Sequence, residues 1–128
     1  MAAMTWSDEE IYLLADRGYA LYRQGQYTQA AVIFEALTAI DPLNVYCRTA
    51  LATVCMALGD ARRAVVELSI LLERNPADLE ARARRCEAYC ELRRWSEVRG
   101  DLAILLRNGE RHHVQRLNSR LRAAGNPL

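Results

Sequence analysis

The sequence predicts an all-α protein built from three helix–turn–helix units and a C-terminal capping helix. The chain repeats itself with a period of 34 residues. Good helix formers (Ala, Leu, Arg and Glu) dominate its composition, whereas Phe occurs once. Apolar residues recur at spacings of three and four, as at Ala30, Ile33, Phe34 and Leu37, which favours amphipathic helices. A chain of 128 residues can bury a core without disulfides or metals.

Three residue types at fixed positions, which we call the marks of the repeat, define each unit. A glycine stands where the first helix must turn into the second, a small alanine where the helices cross, and a proline after the second helix. The pairs at this spacing are Gly25 and Gly59, Ala30 and Ala64, and Pro42 and Pro76. The repeats are therefore predicted at residues 11–44, 45–78 and 79–112.

The third repeat departs from these marks. Arg93 occupies the position of the turn glycine, Val98 that of the small alanine, and Glu110 that of the proline. Leu102 and Leu105 keep the apolar pattern. We therefore expect a degenerate third repeat with the same two helices.

Both ends of the array carry capping features. Ser7 and Glu10 have the spacing of a capping box, with Trp6 and Ile11 placed for a hydrophobic staple. A last helix is predicted over about 110–124, apolar on one face and rich in arginine on the others. Such a polar-backed helix is typical of the cap that a repeat array requires.

The period and its marks resemble the tetratricopeptide repeat (TPR), and the resemblance implies one domain over residues 1–128 folded as a right-handed α-solenoid. In that family the first (A) helix of each repeat lines a concave groove with its positions 2, 5, 9 and 12. Carried over to this chain, the predicted groove residues are Tyr12, Ala15, Tyr19, Tyr22, Tyr46, Thr49, Thr53, Met56, Glu80, Ala83, Glu87 and Cys90.

Four of the six tyrosines fall on these positions. Tyrosine offers a large apolar ring and a hydroxyl at small entropic cost, which suits protein recognition. Tyr22 and Tyr46 are the two for which packing between helices is the main alternative. Glu80 and Glu87 make the third-repeat end of the predicted groove acidic, so we expect that end to favour a basic residue of a bound protein client.

The same resemblance excludes the clamp with which some TPR domains hold the C-terminal carboxylate of heat-shock chaperones. That clamp needs Lys, Asn and Arg at groove positions. The matching places here carry Ala15, Tyr19, Ala50, Glu80 and Arg84, of which only Arg84 fits. A lone arginine leaves the carboxylate largely unpaired.

The segment from Gly18 to Leu37, together with the Asp41-Pro42 that follows it, is similar to the first repeat of the TPR-class chaperones of bacterial type III secretion systems. This resemblance implies a cytoplasmic, non-catalytic chaperone that holds an extended apolar segment of a secretion substrate, typically a translocator. Because the chain is shorter than the usual translocator chaperone, a chaperone of an export-apparatus or needle component is one alternative. A TPR adaptor outside secretion is the other.

Other functions find little support in the sequence. It contains no phosphate-binding loop, no nucleophile in a recognisable setting and no cofactor motif, so we expect no enzyme and no cofactor. The net charge of +1 gives no general attraction to nucleic acid. The arginines of the last helix lack interleaved aromatic residues, so we expect no nucleic-acid binding. These arginines are Arg111, Arg116, Arg120 and Arg122.

Four cysteines could suggest a metal site, but their spacing does not favour one. Cys86 and Cys90 lie one helical turn apart, and no CxxC pair or suitably placed histidine completes a zinc set. We expect buried, reduced thiols. The N-terminus lacks a secretory signal, and no apolar run is long enough to span a bilayer. Exposed apolar groove surface makes a homodimer an open alternative.

Overall fold

The computed structural model describes residues 5–125 and residue 128. Residues 1–4, part of the segment from which we argued against a secretory signal, lie outside this range. The described residues form seven α-helices and no strand, which confirms the all-α prediction of three helix–turn–helix repeats and a last helix. None of these helices is long and apolar enough to cross a membrane. The helices are α1 (Asp8–Arg23), α2 (Tyr27–Ile40), α3 (Val45–Ala57), α4 (Ala61–Arg74), α5 (Leu79–Glu91), α6 (Trp95–Arg107) and α7 (Arg111–Ala123).

Side-chain caps fix where several helices begin. Helices α3 and α5 start at the first residues of the predicted second and third repeats, where Asn44 and Asp78 accept bonds of 3.0 Å from backbone N–H groups. Helix α1 starts three residues before the predicted first repeat. The predicted capping box explains this, because Ser7 and Glu10 exchange two bonds of 3.1 Å between side chain and backbone.

A left-handed residue turns the first helix of each repeat into the second. Gly25 and Gly59 have φ values of 78° and 79°, in the region that glycine adopts without strain. Arg93 adopts φ of 56° at the corresponding place. Its N–H donates to the Cys90 carbonyl, as that of Gly25 donates to Tyr22. The third repeat therefore makes the same turn without the glycine.

The chain divides into two compact units, residues 1–59 and 60–128, which we describe separately; the single-domain interpretation stays a prediction. In the first unit, α2 packs against both α1 and α3. Ala30, Phe34 and Leu37 are at most 1% exposed. A Cβ atom on Gly18 would lie 3.0 Å from the Phe34 ring, so α1 and α2 approach closely at this glycine.

The second unit contains α4 to α7. Helix α7 packs against α5 and α6, and its Leu117 and Leu121 are buried in the same apolar cluster as Val98 and Leu105. The larger Val98, which replaces the expected alanine, is fully buried there. The predicted helix over 110–124 therefore exists and covers the apolar core of this unit.

A buried ion cluster links three helices of the second unit. Asp101 of α6 is 2% exposed and lies 3.0 Å from an Arg82 nitrogen. Arg85 donates two bonds to it, at 2.6 and 2.9 Å, and a third to Ser69 of α4. The bonds to Asp101 raise the pKa of Arg85 above its usual value. One carboxylate thus accepts from two arginines of α5, an arrangement that the sequence analysis missed.

Replacing Arg93 with glycine should raise the free energy of unfolding by about 1 kcal/mol, because the left-handed conformation costs a non-glycine residue about this much. Urea unfolding followed by circular dichroism would measure the change. Arg93→Ala is the control, since it removes the contact of Arg93 with Trp95 but keeps a side chain at this φ. An unchanged or lower stability of Arg93→Gly would contradict the assignment of strain to this turn.

Replacing Asp101 with alanine should lower the stability by about 3 kcal/mol, because it leaves two mostly buried guanidinium groups without their shared carboxylate. Glu97→Ala, at an exposed position on the same helix, is the control and should change stability by less than about 0.5 kcal/mol. Equal effects of the two substitutions in urea unfolding would show that the cluster contributes little.

Candidate functional site

The predicted groove residues divide between the two compact units. Eight of the twelve lie on α1 and α3 of the first unit, and the last four lie on α5 of the second. The first set comprises Tyr12, Ala15, Tyr19, Tyr22, Tyr46, Thr49, Thr53 and Met56. The second comprises Glu80, Ala83, Glu87 and Cys90.

Three tyrosines of the first unit are strongly exposed, and we call them the tyrosine face. The exposed fractions are 69% for Tyr12, 40% for Tyr19 and 55% for Tyr46. Scattered exposed apolar residues are ordinary, but several large rings on two neighbouring helices are typical of a binding surface. Tyr46, for which we had considered packing between helices, lies at the surface.

Tyr22 has a supporting position instead. It is half-buried, stacked against Tyr19 at a centroid distance of 6.2 Å and tilted against Tyr27 at 5.5 Å. The Arg23 guanidinium lies 4.4 Å from the centre of the Tyr19 ring. Tyr19 therefore contacts both a ring and a cation, which limits the conformations it can adopt.

A pocket of about 480 Å³ opens beside the tyrosine face, between α1, α3 and the loop before α3. It brings together Tyr12, Ala15 and Tyr46 of the predicted set. Ala15 is 5% exposed, and its short side chain leaves room between the rings. The complete lining is Asp8, Ile11, Tyr12, Ala15, Asp16, Asp41, Asn44, Tyr46 and Cys47.

Three carboxylates of this pocket were missed by the sequence analysis. Asp8 and Asp16 lie four residues on either side of Tyr12, a spacing that places all three side chains on one face of α1. That spacing could have identified them. Asp41 could not be found this way, because it lies in the loop after α2 and reaches the pocket only through the fold.

The surroundings of the pocket disfavour additional negative charge. Partial burial raises the pKa of the Tyr46 hydroxyl, and the neighbouring Tyr19, Cys47 and Asp16 raise it further. Burial also raises the pKa of the Cys47 thiol, with a smaller contribution from Asp41. Both groups therefore stay neutral near pH 7, while the aspartates supply the charge of the pocket.

The remaining residues of α3 contribute less open surface. Thr49, Thr53 and Met56 are half-buried and do not line the pocket. The Thr53 hydroxyl donates to the Thr49 carbonyl at 3.0 Å, so its hydrogen is used within its own helix.

The predicted residues of α5 are engaged within the second unit. Glu80 lies 3.0 Å from Arg84 and 3.1 Å from Nε2 of His113, and Glu87 lies 2.7 Å from Arg116. Arg120, also of α7, contacts both Glu87 and Glu91. Two of the four arginines that we had interpreted as the solvent side of a cap, Arg116 and Arg120, are thus ion-pair partners of α5.

Ala83 and Cys90 differ from each other in exposure. Ala83 is 1% exposed and belongs to the apolar core of the second unit. Cys90 is half-buried and lines a recess of about 310 Å³ with Trp95 and Arg120. All four cysteines are free thiols, and the other three are buried. Within residues 5–125 and 128, no group of three or more His, Cys, Asp or Glu is placed to hold a metal ion.

Comparison with known proteins agrees with this architecture. Residues 21–83 match the family model of the tetratricopeptide repeat. No curated protein sequence matches the chain.

Solved structures with the same fold include chaperones and a TPR domain bound to a peptide. PcrH, a Pseudomonas aeruginosa protein, in complex with the chaperone-binding region of PopB superimposes with a TM-score of 0.79 at 17% identity, over 93% of this chain and 100% of that one. The type III secretion translocator chaperone SycD of Yersinia enterocolitica gives 0.79 at 17%, over 95% and 99%. The first TPR of Spaghetti (RPAP3), bound to an HSP90 peptide, gives 0.79 at 19%, over 96% and 99%.

At these identities the likeness concerns the fold. The repeat match over residues 21–83 and the shared fold confirm the predicted resemblance to tetratricopeptide repeat proteins, among them the TPR-class chaperones of type III secretion.

Proposed function

We propose that this protein is a non-catalytic chaperone that binds an extended apolar segment of a secretion substrate, in a type III-like system of the bacterial cytoplasm. The observation that carries the proposal is the tyrosine face on α1 and α3 of a TPR fold. The other predicted groove residues of these helices would extend the contact along the client.

The exposed rings supply the driving force for binding. Tyr12, Tyr19 and Tyr46 leave 40–69% of their surface in water. Covering such a ring with a client side chain contributes about 1–2 kcal/mol, and Tyr gives this at a low cost in side-chain entropy. A chaperone that keeps an aggregation-prone segment away from water needs an apolar surface of this kind.

Two structural neighbours indicate which type of ligand to consider. PcrH was solved with the chaperone-binding region of PopB, and the Spaghetti domain with an HSP90 peptide. The clamp with which some TPR domains hold a C-terminal carboxylate would need Lys, Asn and Arg at groove positions. Ala15 and Tyr19 replace clamp residues here, and Arg84 is paired with Glu80. An internal segment of a client therefore fits the tyrosine face better than a C-terminal carboxylate does.

The two alternatives predict different clients. A chaperone of an export-apparatus or needle component would bind a different protein of the same system. An adaptor outside secretion would bind a partner that is soluble without it. Co-expression separates the classes, because a chaperone's client is insoluble or degraded when it is produced alone. A homodimer stays a prediction, which size-exclusion chromatography with light scattering would test.

Replacing Tyr19 and Tyr46 together with alanine should weaken client binding about tenfold or more, since two exposed rings are removed from the contact. The client would be recovered with the tagged protein from its own cells and identified by mass spectrometry. Calorimetry with the purified binding segment would then give the affinity. We expect a secretion-apparatus protein that the double variant fails to retain.

The matched control is Val32→Ala with Val66→Ala, which removes exposed apolar surface from α2 and α4. It should leave the affinity unchanged, and both double variants should keep the helical circular dichroism of the wild type. Unchanged affinity in the tyrosine variant would contradict the binding site. Recovery of an unrelated, independently soluble protein would support the adaptor.

A further inference from the structure

The carboxylates of the pocket in the first unit differ from those of α5 in their partners. Glu80, Glu87 and Glu91 each form an ion pair with an arginine of their own unit. A client cation would have to compete with those partners. By contrast, within residues 5–125 neither Asp8, Asp16 nor Asp41 lies within ion-pair distance of a basic side chain.

The local contacts of these aspartates leave acceptor capacity for a ligand. Asp41 accepts one bond, of 3.3 Å, from the Asn44 side chain. An ionised carboxylate has about four acceptor sites, so one such bond leaves most of them open. Asp8 lies in the first turn of α1, where a negative charge is stabilised by the helix dipole. Asp16 lies two turns further along the same face, beside Tyr46.

Aromatic rings and carboxylates in one pocket suit a particular type of side chain. The guanidinium of arginine stacks on tyrosine rings and donates to carboxylates, while its methylene stem packs against apolar surface. The pocket supplies all three kinds of contact, through Tyr12 and Tyr46, through the aspartates, and through Ile11 and Ala15. Its volume of about 480 Å³ is sufficient for such a side chain with its neighbours.

We infer that this pocket binds an arginine or lysine of the client, next to the apolar residues that the tyrosine face covers. The inference rests on the proposed function and adds the chemistry that selects the client segment. The charge of the surrounding sequence is complementary to such a segment, because residues 1–61 contain seven acidic residues against three arginines. An acidic segment would be repelled by the same charges.

Selection of displayed random peptides on the full chain tests the inference without a known client. We expect the selected peptides to carry Arg or Lys beside apolar residues. A synthetic peptide from this set would then be compared with its Arg→Gln analogue by fluorescence anisotropy. The analogue should bind about tenfold more weakly at low salt, with a smaller difference at high salt.

A double variant assigns this preference to the pocket. The double variant Asp16→Asn, Asp41→Asn should bind the arginine peptide about tenfold more weakly than the wild type does. Its affinity for the Gln analogue should change little. The substitutions keep the shape of both side chains, so the fold should be preserved. Glu9→Gln removes one negative charge from α1 outside the pocket and should leave the preference intact.

The outcomes separate the inference from the proposed function. Selected peptides without a basic residue, or an arginine preference that survives in the aspartate variant, would overturn the pocket assignment and leave the tyrosine face standing. If the wild type selects no peptides beyond those selected by the Tyr19→Ala, Tyr46→Ala variant, the proposed function fails and the pocket assignment fails with it.

Discussion

The close crossing of two antiparallel helices is the constraint on which the other features of each repeat depend. The reversal passes through one left-handed residue, and in the first unit the crossing needs Gly18 to have no side chain against Phe34. While α2 covers the side of α1 that carries Gly18, the side that carries Tyr12 and Tyr19 stays in water. The exposed rings are thus a consequence of where the second helix must pack.

Most of the fold could be predicted because its determinants are local and periodic. Turn residues, caps and apolar spacing recur every 34 residues, so each repeat supplies independent evidence for the same two helices. Arg93 shows the limit of this argument. An arginine at the position of the turn glycine suggests a broken turn. The turn is nevertheless formed, with φ of 56° at Arg93 and a hydrogen bond to the Cys90 carbonyl. Packing of α5 against α6 outweighs the local cost.

The site could be predicted only in part, for two physical reasons. Positions such as Tyr12 and Tyr46 follow from the repeat register, whereas Asp41 reaches the pocket from a loop. The register also changes before α7, because the connection 108–110 is one residue shorter than 41–44 and 75–78. Contacts between α5 and α7, such as Glu91 with Arg120, therefore could not be extrapolated from the period.

The same type of side chain has different roles in the two units because its partners differ. In the second unit, acids of α5 pair with Arg116 and Arg120 of α7, so their charge serves the attachment of the cap. In the first unit, acids of the pocket lie beside exposed rings and, in the part of the chain that the structure describes, no arginine is within ion-pair distance, so their charge faces water. A carboxylate that pairs with a cation of its own chain loses its long-range attraction for a basic ligand, while an unpaired carboxylate keeps it. Electrostatic selection of a client is therefore better placed at the pocket of the first unit than on α5, although each has three acids.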